Sequence, residues 1–184
     1  MDKEQDRRIA QWYNALSNSY DELYSREQLQ KYSSVIRFFG DEKFKILVDV
    51  GCGTGMFLEG AENHYEYAVG IDLSTKMLKA AASRASQKRD LVVASSRLIP
   101  IRDKTVDCLV SVSTLSSDSD LLRTFDEIAR ICCWNATVAV SVFQGQNRQV
   151  PVLIETSGQS SKISDRETLY CLRLDKGRLR AASG

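Results

Sequence analysis

A glycine-rich segment directly after a short apolar run is the feature that most constrains the fold of this chain. The run Phe44–Val50 is rich in apolar and β-branched residues, and Gly51, Gly53 and Gly55 follow it at alternate positions. Because a run without polar alternation fits a strand covered on both faces, we expect a strand of a parallel sheet here. The glycines allow a sharp turn and let a ligand approach the backbone closely. The segment therefore predicts a strand, a ligand-binding loop and the N-terminus of a helix.

The rest of the chain alternates between strand-like and helix-like patterns. Four further apolar runs predict strands, and segments with apolar residues at helical spacing separate the five strands. Such alternation predicts an α/β fold with a mainly parallel sheet, right-handed crossovers and helices on both faces. The further strand candidates are Tyr67–Ile71, Leu91–Ala94, Val106–Val112 and Thr137–Phe143.

Three segments of different character divide the chain. Residues 1–40 carry two runs of apolar residues at helical spacing and predict an N-terminal helical cap. Residues 41–174 are expected to form the α/β domain, with Val152–Ile154 and Thr168–Leu174 as candidate edge strands. Residues 175–184 predict a basic tail.

Charge and composition exclude several classes of protein. The 25 Lys and Arg against 24 Asp and Glu give a net charge of +1, and 43% of the residues are hydrophobic. A disordered chain and a strongly basic nucleic-acid binder are therefore not expected. The sequence has no uncharged apolar stretch of about 18 residues, and its five cysteines include no C-x-x-C pair. Its first residues are charged, so they are not expected to form a secretory signal. We expect a cytoplasmic protein without a membrane span or a metal site.

An acidic residue ends the second apolar run. Asp72 stands 21 residues after Gly51, and a carboxylate at about this separation accepts hydrogen bonds from both hydroxyls of a ribose. The glycine spacing is G-x-G-x-G rather than the G-x-G-x-x-G of dinucleotide binders, and no Gly-Lys-Ser/Thr follows, which excludes a P-loop. A nucleoside-containing cofactor is therefore expected, and a glycine turn that only packs a helix is the alternative.

These motifs together resemble one family. The stretches VDVGCGTG at residues 48–55 and GIDLS at residues 70–74 resemble the class I S-adenosylmethionine-dependent methyltransferases. The likeness runs from about residue 12 to residue 143 and is closest to the ubiquinone and menaquinone biosynthesis branch and the tRNA-wobble-uridine branch. It implies a Rossmann-like doubly wound sheet, with S-adenosyl-L-methionine as cofactor and S-adenosyl-L-homocysteine as product. Further matching stretches are Tyr13-Asn14, Tyr20-Asp21, Leu98–Asp103 with Val106-Asp107, and Glu127–Arg130.

The resemblance also implies roles for individual residues. Asp49 would orient the methionine amino group through water, and Asp72 would hold the ribose hydroxyls. Serines at the end of the fourth strand would lie beside the reacting methyl group. The cofactor-binding candidates are Tyr13, Tyr20, Asp49, Gly51, Cys52, Gly53, Gly55, Asp72, Leu73, Met77, Ser95, Ser96, Arg97, Ser111 and Ser113. The sequence does not identify catalytic residues.

Two positions depart from the family pattern. Ser95 stands where the family has an acid that bonds the adenine amino group, and a serine bonds it less strongly. Residues Cys132–Ala136 replace the family's Lys-Pro-Gly-Gly turn before the fifth strand. We expect the first change to weaken cofactor binding and the second to alter a turn.

The acceptor of the methyl group also stays open. Methyl transfer from a sulfonium depends mainly on positioning and needs a general base only where the acceptor loses a proton. The acceptor is expected to be a small molecule under the N-terminal helices, or tRNA or protein with the help of a homodimer or partner subunit. A non-catalytic S-adenosylmethionine-binding subunit is the second function class, and an NAD-dependent oxidoreductase is the third. His64, the only histidine, is expected in a solvated loop away from the ligand edge.

Overall fold

The structure is a computed structural model that describes residues 3–84, 86–115, 118–143 and 159–174. Its helices are Lys3–Leu16 (α1), Tyr20–Phe39 (α2), Met56–Gly60 (α3), Thr75–Ala82 (α4) and Asp118–Ile131 (α5), with a short 3₁₀ helix at Glu62–His64. Its strands are Phe44–Val50 (β1), Tyr65–Asp72 (β2), Arg89–Val93 (β3), Val106–Leu115 (β4), Cys132–Phe143 (β5), Gln159–Ser164 (β6) and Glu167–Arg173 (β7). None of the described helices is both long and apolar enough to cross a lipid bilayer.

One seven-stranded sheet organises the described residues, in the order β3-β2-β1-β4-β5-β7-β6. Strands β1 to β5 pair in parallel, and β7 is antiparallel to both of its neighbours. The predicted α/β class with a mainly parallel, Rossmann-like sheet is confirmed. The order reverses direction between β1 and β4, and ligands of such sheets bind at this switch point, beyond the carboxyl ends of the strands.

The edge of the sheet beyond β5 differs from the sequence expectation. Thr168–Leu174 was expected at the edge, but β7 lies between β5 and β6, and its apolar side chains are buried on both faces. The edge strand is Gln159–Ser164, whose residues are polar except for Ile163 and mostly exposed. A polar edge strand lacks the apolar signal on which a strand prediction depends. The other candidate, Val152–Ile154, lies outside the described residues.

Two connections also differ from the prediction. No helix occurs in the described chain between β3 and β4, so the expected regular alternation is wrong there. That connection is instead held by α5, because Glu127 accepts from the backbone N–H of Ile99 at 2.6 Å and Arg130 donates to the carbonyl of Ile101 at 2.8 Å. The expected turn at Cys132–Ala136 is part of β5, which begins directly after α5.

The sheet is covered on both faces by apolar packing. Helices α2, α3 and α4 pack on one face, where Val35 and Phe39 of α2 are buried with Leu47 of β1. Helix α5 packs on the other face, where Ile128 lies in the same cluster as Val48. Neighbouring residues of β1 thus point to opposite cores, which explains why this strand shows no polar alternation.

Candidate functional site

The loop after β1 is fixed by its own backbone. The amides of Gly51 and Cys52 both donate to the carbonyl of Ile71 in β2, at 2.7 and 3.0 Å. Gly51 has a φ of +79°, and a Cβ there would lie 2.1 Å from Oγ1 of Thr114 at the end of β4. Only glycine meets both conditions, so β1, β2 and β4 close around the loop without space for a side chain.

Asp72 ends β2 and is locked by two backbone donors. Its Oδ2 accepts from the amide of Gly53 at 2.9 Å, and its Oδ1 accepts from the amide of Ser74 at 2.8 Å. Burial raises the pKa of Asp72, and the backbone donors, including Leu73, oppose that shift. A carboxylate has about four lone-pair sites, so the backbone bonds leave acceptor capacity for a ligand.

Asp49 is a buried acid without a partner. Its side chain is 4% exposed, and its Oδ2 has no hydrogen-bond partner within the described part of the chain. Burial, followed by the charge of Asp72, raises the pKa of Asp49 to about 8. A buried polar atom without a partner is costly unless a ligand or water satisfies it. Asp49 thus favours a cationic or hydrogen-donating group nearby.

A cleft lies between the N-terminal helices and the glycine loop, residues 51–55. Three tyrosines from the helices line this cleft. Tyr13 of α1 and Tyr20 and Tyr32 of α2 line it together, and the rings of Tyr13 and Tyr20 lie 6.4 Å apart. The pKa of each phenol is raised, mainly by burial. The tyrosines therefore remain neutral and present apolar rings with hydroxyl groups to the cleft.

Ionic contacts tie these helices to the sheet. Arg84, just after α4, donates to Asp21 at 2.6 Å, to Glu59 at 2.9 Å and to the backbone carbonyl of Thr54 at 2.7 Å. Thr54 also donates its hydroxyl to Asp21 at 2.6 Å. The start of α2 is thereby joined to the glycine loop through one guanidinium and one carboxylate.

A second contact lies at the β3 side of the cleft. Arg97, which is 8% exposed, pairs with Asp6 of α1, and both residues line the cleft. Ser95 and Ser96 also line it, and Ser96 accepts from the hydroxyl of Thr124 at 2.9 Å. The guanidinium of Arg97 thus closes the side of the cleft beyond Asp72.

One cleft brings most of the predicted residues together. Those that line it are Tyr13, Tyr20, Gly51, Cys52, Gly53, Asp72, Leu73, Met77, Ser95, Ser96, Arg97 and Ser113. Asp49, Gly55 and Ser111 do not line it. Asp49 lies buried beneath the loop, Gly55 packs against Ala81, and Ser111 is fully buried within β4.

Sequence reasoning missed several residues of the cleft. Asp6 and Tyr32 line it, and their only sequence signal is a position on the same helices as Tyr13 and Tyr20. Lys31 and Glu167 lie behind Ser113, and they come from segments 136 residues apart. No local pattern predicts such a pair.

The cleft suits a cationic nucleoside better than a reactive thiol site. The buried Asp72 carboxylate lines it, and the Asp49 carboxylate lies buried two residues before the glycine loop. No cluster of metal-ligating side chains occurs in the described residues. Burial raises the pKa of the Cys52 thiol well above its usual value, so this thiol stays protonated. His64 ends the 3₁₀ helix before β2 and is half-buried, and its ring contacts the carbonyl of Glu42. It lies away from the cleft, as expected, but not in a solvated loop.

Comparison with known proteins places the chain in a family, and two of its relatives show how far the likeness extends. A sequence profile described as "Methyltransferase domain" matches residues 48–140. The uncharacterized protein MJ1252 of Methanocaldococcus jannaschii is 29% identical over 123 residues, which cover 67% of this chain and 47% of the relative. Demethylmenaquinone methyltransferase of Roseiflexus sp. is 32% identical over 95 residues, which cover 50% of this chain and 40% of the relative. The chain thus spans about half the length or less of the curated relatives it matches.

Solved structures show the same fold. An S-adenosylmethionine-dependent methyltransferase from Aquifex aeolicus matches with a TM-score of 0.68 at 17% identity, over 88% of this chain and 98% of that one. A Haloferax volcanii complex of the Trm112 methyltransferase activator with a candidate methyltransferase matches with a TM-score of 0.63 at 21% identity, over 71% of this chain and 59% of that one.

Proposed function

Because this chain belongs to the methyltransferase domain family, whose cofactor is S-adenosyl-L-methionine, we propose that it transfers the sulfonium methyl group of that cofactor to an acceptor bound at the β4 side of the cleft. The observation that carries the proposal is the Asp72 carboxylate. It is fixed by the backbone N–H groups of Gly53 and Ser74 beside the glycine loop, and it has lone pairs left for hydroxyl donors of a ligand.

The residues present fit this cofactor. Asp72 would hold the ribose hydroxyls, and the unpartnered Asp49 carboxylate would attract the methionine amino group. The cofactor supplies an electrophilic methyl group on a positively charged sulfur when bound. The protein's part is then to orient the cofactor and exclude water, which are positioning effects.

The N-terminal helices close the cleft in this proposal. Tyr13, Tyr20 and Tyr32 supply apolar rings that exclude water, and the Arg84–Asp21 contact keeps the start of α2 against the loop. Residues 1–40 thus act as a cap over a cofactor domain at 41–174, with residues 175–184 as a basic tail.

Two classes of acceptor are proposed. A small molecule would fit beneath the capping helices, whereas tRNA or protein would need a more open cleft and a partner subunit. The Haloferax volcanii relative forms a complex with an activator, and this favours testing a partner subunit as well as a homodimer. All five cysteines are free thiols, which is consistent with a protein of the cytoplasm.

Calorimetry with S-adenosyl-L-methionine and S-adenosyl-L-homocysteine tests the cofactor assignment. We expect both to bind the intact chain, and Asp72→Asn to weaken binding by about tenfold or more, since charged acceptors make the stronger hydrogen bonds. Asp41→Asn is the matched control, because Asp41 is an exposed acid just before β1, near the amino ends of the strands and opposite the cleft. Absence of binding by the unmodified protein would reject both the enzyme and the non-catalytic subunit.

A second experiment separates the acceptor classes. The protein, alone and with candidate partner subunits, is incubated with methyl-labelled S-adenosyl-L-methionine and fractionated cell extract, and the label is sorted by size and by nuclease or protease sensitivity. Label in a low-mass fraction favours a small acceptor, and label lost on nuclease or protease treatment favours tRNA or protein. Binding without any transfer favours the non-catalytic subunit.

A further inference from the structure

A buried polar cluster lies behind the β4 side of the cleft. Lys31 of α2 is 3% exposed and Glu167 of β7 is fully buried, and their charged groups meet at 2.6 Å. Lys31 also donates to the hydroxyl of Ser113 at 2.9 Å, and it pairs with Glu27 at 2.7 Å. Ser141 of β5 donates its hydroxyl to Glu167. Four elements of the fold therefore converge on one buried carboxylate.

Ser113 connects this cluster to the cleft. It lines the cleft, and its hydroxyl donates to Glu167, with distances of 3.0 and 3.3 Å to the two carboxylate oxygens. Its backbone has a φ of +59°, and its amide donates to Ser141 at 2.7 Å. A non-glycine residue in this conformation persists only where its surroundings fix it. The position of the hydroxyl is therefore set by the cluster.

The hydrogen-bonding capacity of Ser113 is mostly used. A hydroxyl has one donor and two lone pairs. The donor is engaged by Glu167 and one lone pair accepts from Lys31, so a single lone pair is left to face the cleft. A ligand group bound there must therefore supply the hydrogen, as an O–H, N–H or S–H group does.

Glu167 is the group that a proton leaving Ser113 would reach, because the Ser113 hydroxyl donates to its carboxylate. After such a transfer Lys31 would still have its ion pair with Glu27 at 2.7 Å.

Other bases around the cleft are less suited to this task. Among the described residues that line it, the carboxylates are Asp6, which pairs with Arg97, and Asp72, which is held by backbone donors at the end of β2. In the order β3-β2-β1-β4, both the β2 and β3 ends lie on the far side of β1 from Ser113. Among the described residues that line the cleft, only Ser113 hydrogen-bonds to a carboxylate at the β4 side.

We propose that Ser113 and Glu167 form a proton relay that accepts the proton of a protic methyl acceptor, and that this relay restricts the substrate to acceptors with an O–H, N–H or S–H group. The inference rests on the proposed function. The acceptor atom forms its bond to the methyl carbon with its own electron pair, while the pair of the broken carbon–sulfur bond stays on sulfur. The acceptor's proton passes to the Ser113 oxygen as the Ser113 proton passes to Glu167. Lys31 is a positioning residue that keeps both groups in place.

Two substitutions test the relay. Glu167→Gln keeps the size of the side chain but removes its basicity. Ser113→Ala removes the relay oxygen and keeps the amide that donates to Ser141. With labelled S-adenosyl-L-methionine and the extract fraction that accepts label, we expect each to lower kcat by about 10²–10⁴-fold with little change in the KM for the cofactor. Calorimetry with S-adenosyl-L-homocysteine should give affinities within about threefold of the unmodified protein. Glu66→Gln, an exposed acid-to-amide change at the start of β2, is the matched control.

The labelled product gives an independent readout. Mass spectrometry should find the methyl group on an oxygen, nitrogen or sulfur atom that carried a hydrogen before the reaction. Methylation of an atom without a hydrogen, such as a ring nitrogen that has only a lone pair, would overturn the relay. If Glu167→Gln fails to fold, Ser113→Ala alone decides, because its side chain is only partly buried.

The outcomes separate the relay from the proposed function. Failure of the unmodified protein to bind S-adenosyl-L-homocysteine contradicts the proposed function. Binding together with transfer that Glu167→Gln and Ser113→Ala leave unchanged contradicts the relay alone. Binding without label in any fraction also overturns the relay, since no proton would then be transferred.

Discussion

The glycine loop faces helices α1 and α2, which form the opposite wall of the cleft. The loop and this wall are held by different kinds of interaction. The loop is fixed by backbone bonds, from Gly51 and Cys52 to the carbonyl of Ile71 and from Gly53 to Asp72. The wall of α1 and α2 is fixed by side chains, through the pairs of Asp21 with Arg84, Lys31 with Glu167 and Asp6 with Arg97. The loop has no space for a Cβ at Gly51, which would lie 2.1 Å from Thr114. The side-chain pairs of the wall can instead be lost one at a time. Changes in the loop should therefore abolish binding, and changes in the wall should weaken it by degrees.

The largest effect is expected in the loop, for Gly51→Ala. An alanine at this position would have to adopt a left-handed φ, and its Cβ would lie 2.1 Å from Thr114. We therefore expect a loss of about 3 kcal/mol in the free energy of unfolding and no measurable S-adenosyl-L-homocysteine binding. Chemical denaturation and calorimetry measure the two effects. Gly60→Ala is the control, because a Cβ at Gly60 meets nothing within 4 Å. Normal binding by Gly51→Ala would show that the loop is not the rigid part of the site.

The second effect tests the wall at Arg84. Lysine keeps the charge but cannot reach three partners at once, so Arg84→Lys should weaken S-adenosyl-L-homocysteine binding by about threefold to tenfold. Stability should fall by about 1 kcal/mol, since the pair with Asp21 is partly exposed. Arg8→Lys, in an exposed pair with Glu4, should change neither quantity. Equal behaviour of the two variants would mean that the wall does not depend on this contact.

The third effect concerns the acid beneath the loop. The pKa of Asp49 is about 8 in the folded protein, above its ordinary value, so the protonated form predominates at neutral pH. The positively charged amino group of S-adenosyl-L-homocysteine favours the ionised form, so the affinity for this ligand should rise by up to about tenfold per pH unit until pH reaches about 8. Calorimetry of S-adenosyl-L-homocysteine between pH 6 and pH 9 measures this slope. Asp49→Asn should remove the slope, and a slope that persists in that variant would assign it to another group such as Asp72.

The same acid affects the stability of the free protein with the opposite sign. A folded-state pKa above the unfolded-state value means that the folded chain binds more protons between the two values. The free energy of unfolding should therefore fall as pH rises from about 4 to about 8. Urea denaturation across this range measures the trend, which should be flatter in Asp49→Asn.

The smallest effect is expected at the β3 side of the wall. Asp6→Asn removes one charge of the pair with Arg97, and because Asp6 is 26% exposed, we expect a loss of only about twofold to threefold in affinity. The loss should shrink further in about 0.5 M salt, where such charges are screened. Glu22→Gln, an exposed acid of α2, is the control. A loss of tenfold or more would mean that α1 is as rigid as the loop.

The contrast between loop and wall also explains what the sequence could predict. The strand, the glycines and Asp72 lie within one β-α-β unit, so local spacing was enough to predict the cleft, and the profile match covers the same residues. The side-chain pairs of the wall join residues 63, 91 and 136 positions apart, and a single sequence carries no signal for such contacts. The edge strand β6 was missed for a related reason, because its polar residues give no apolar pattern.

A crystal structure of the protein with S-adenosyl-L-homocysteine tests the central claim most directly. We expect the nucleoside in the cleft between the glycine loop and the tyrosines, with both ribose hydroxyls within hydrogen-bond distance of the Asp72 carboxylate. A structure in which the ligand binds elsewhere, or in which Asp72 contacts no part of the sugar, would contradict it.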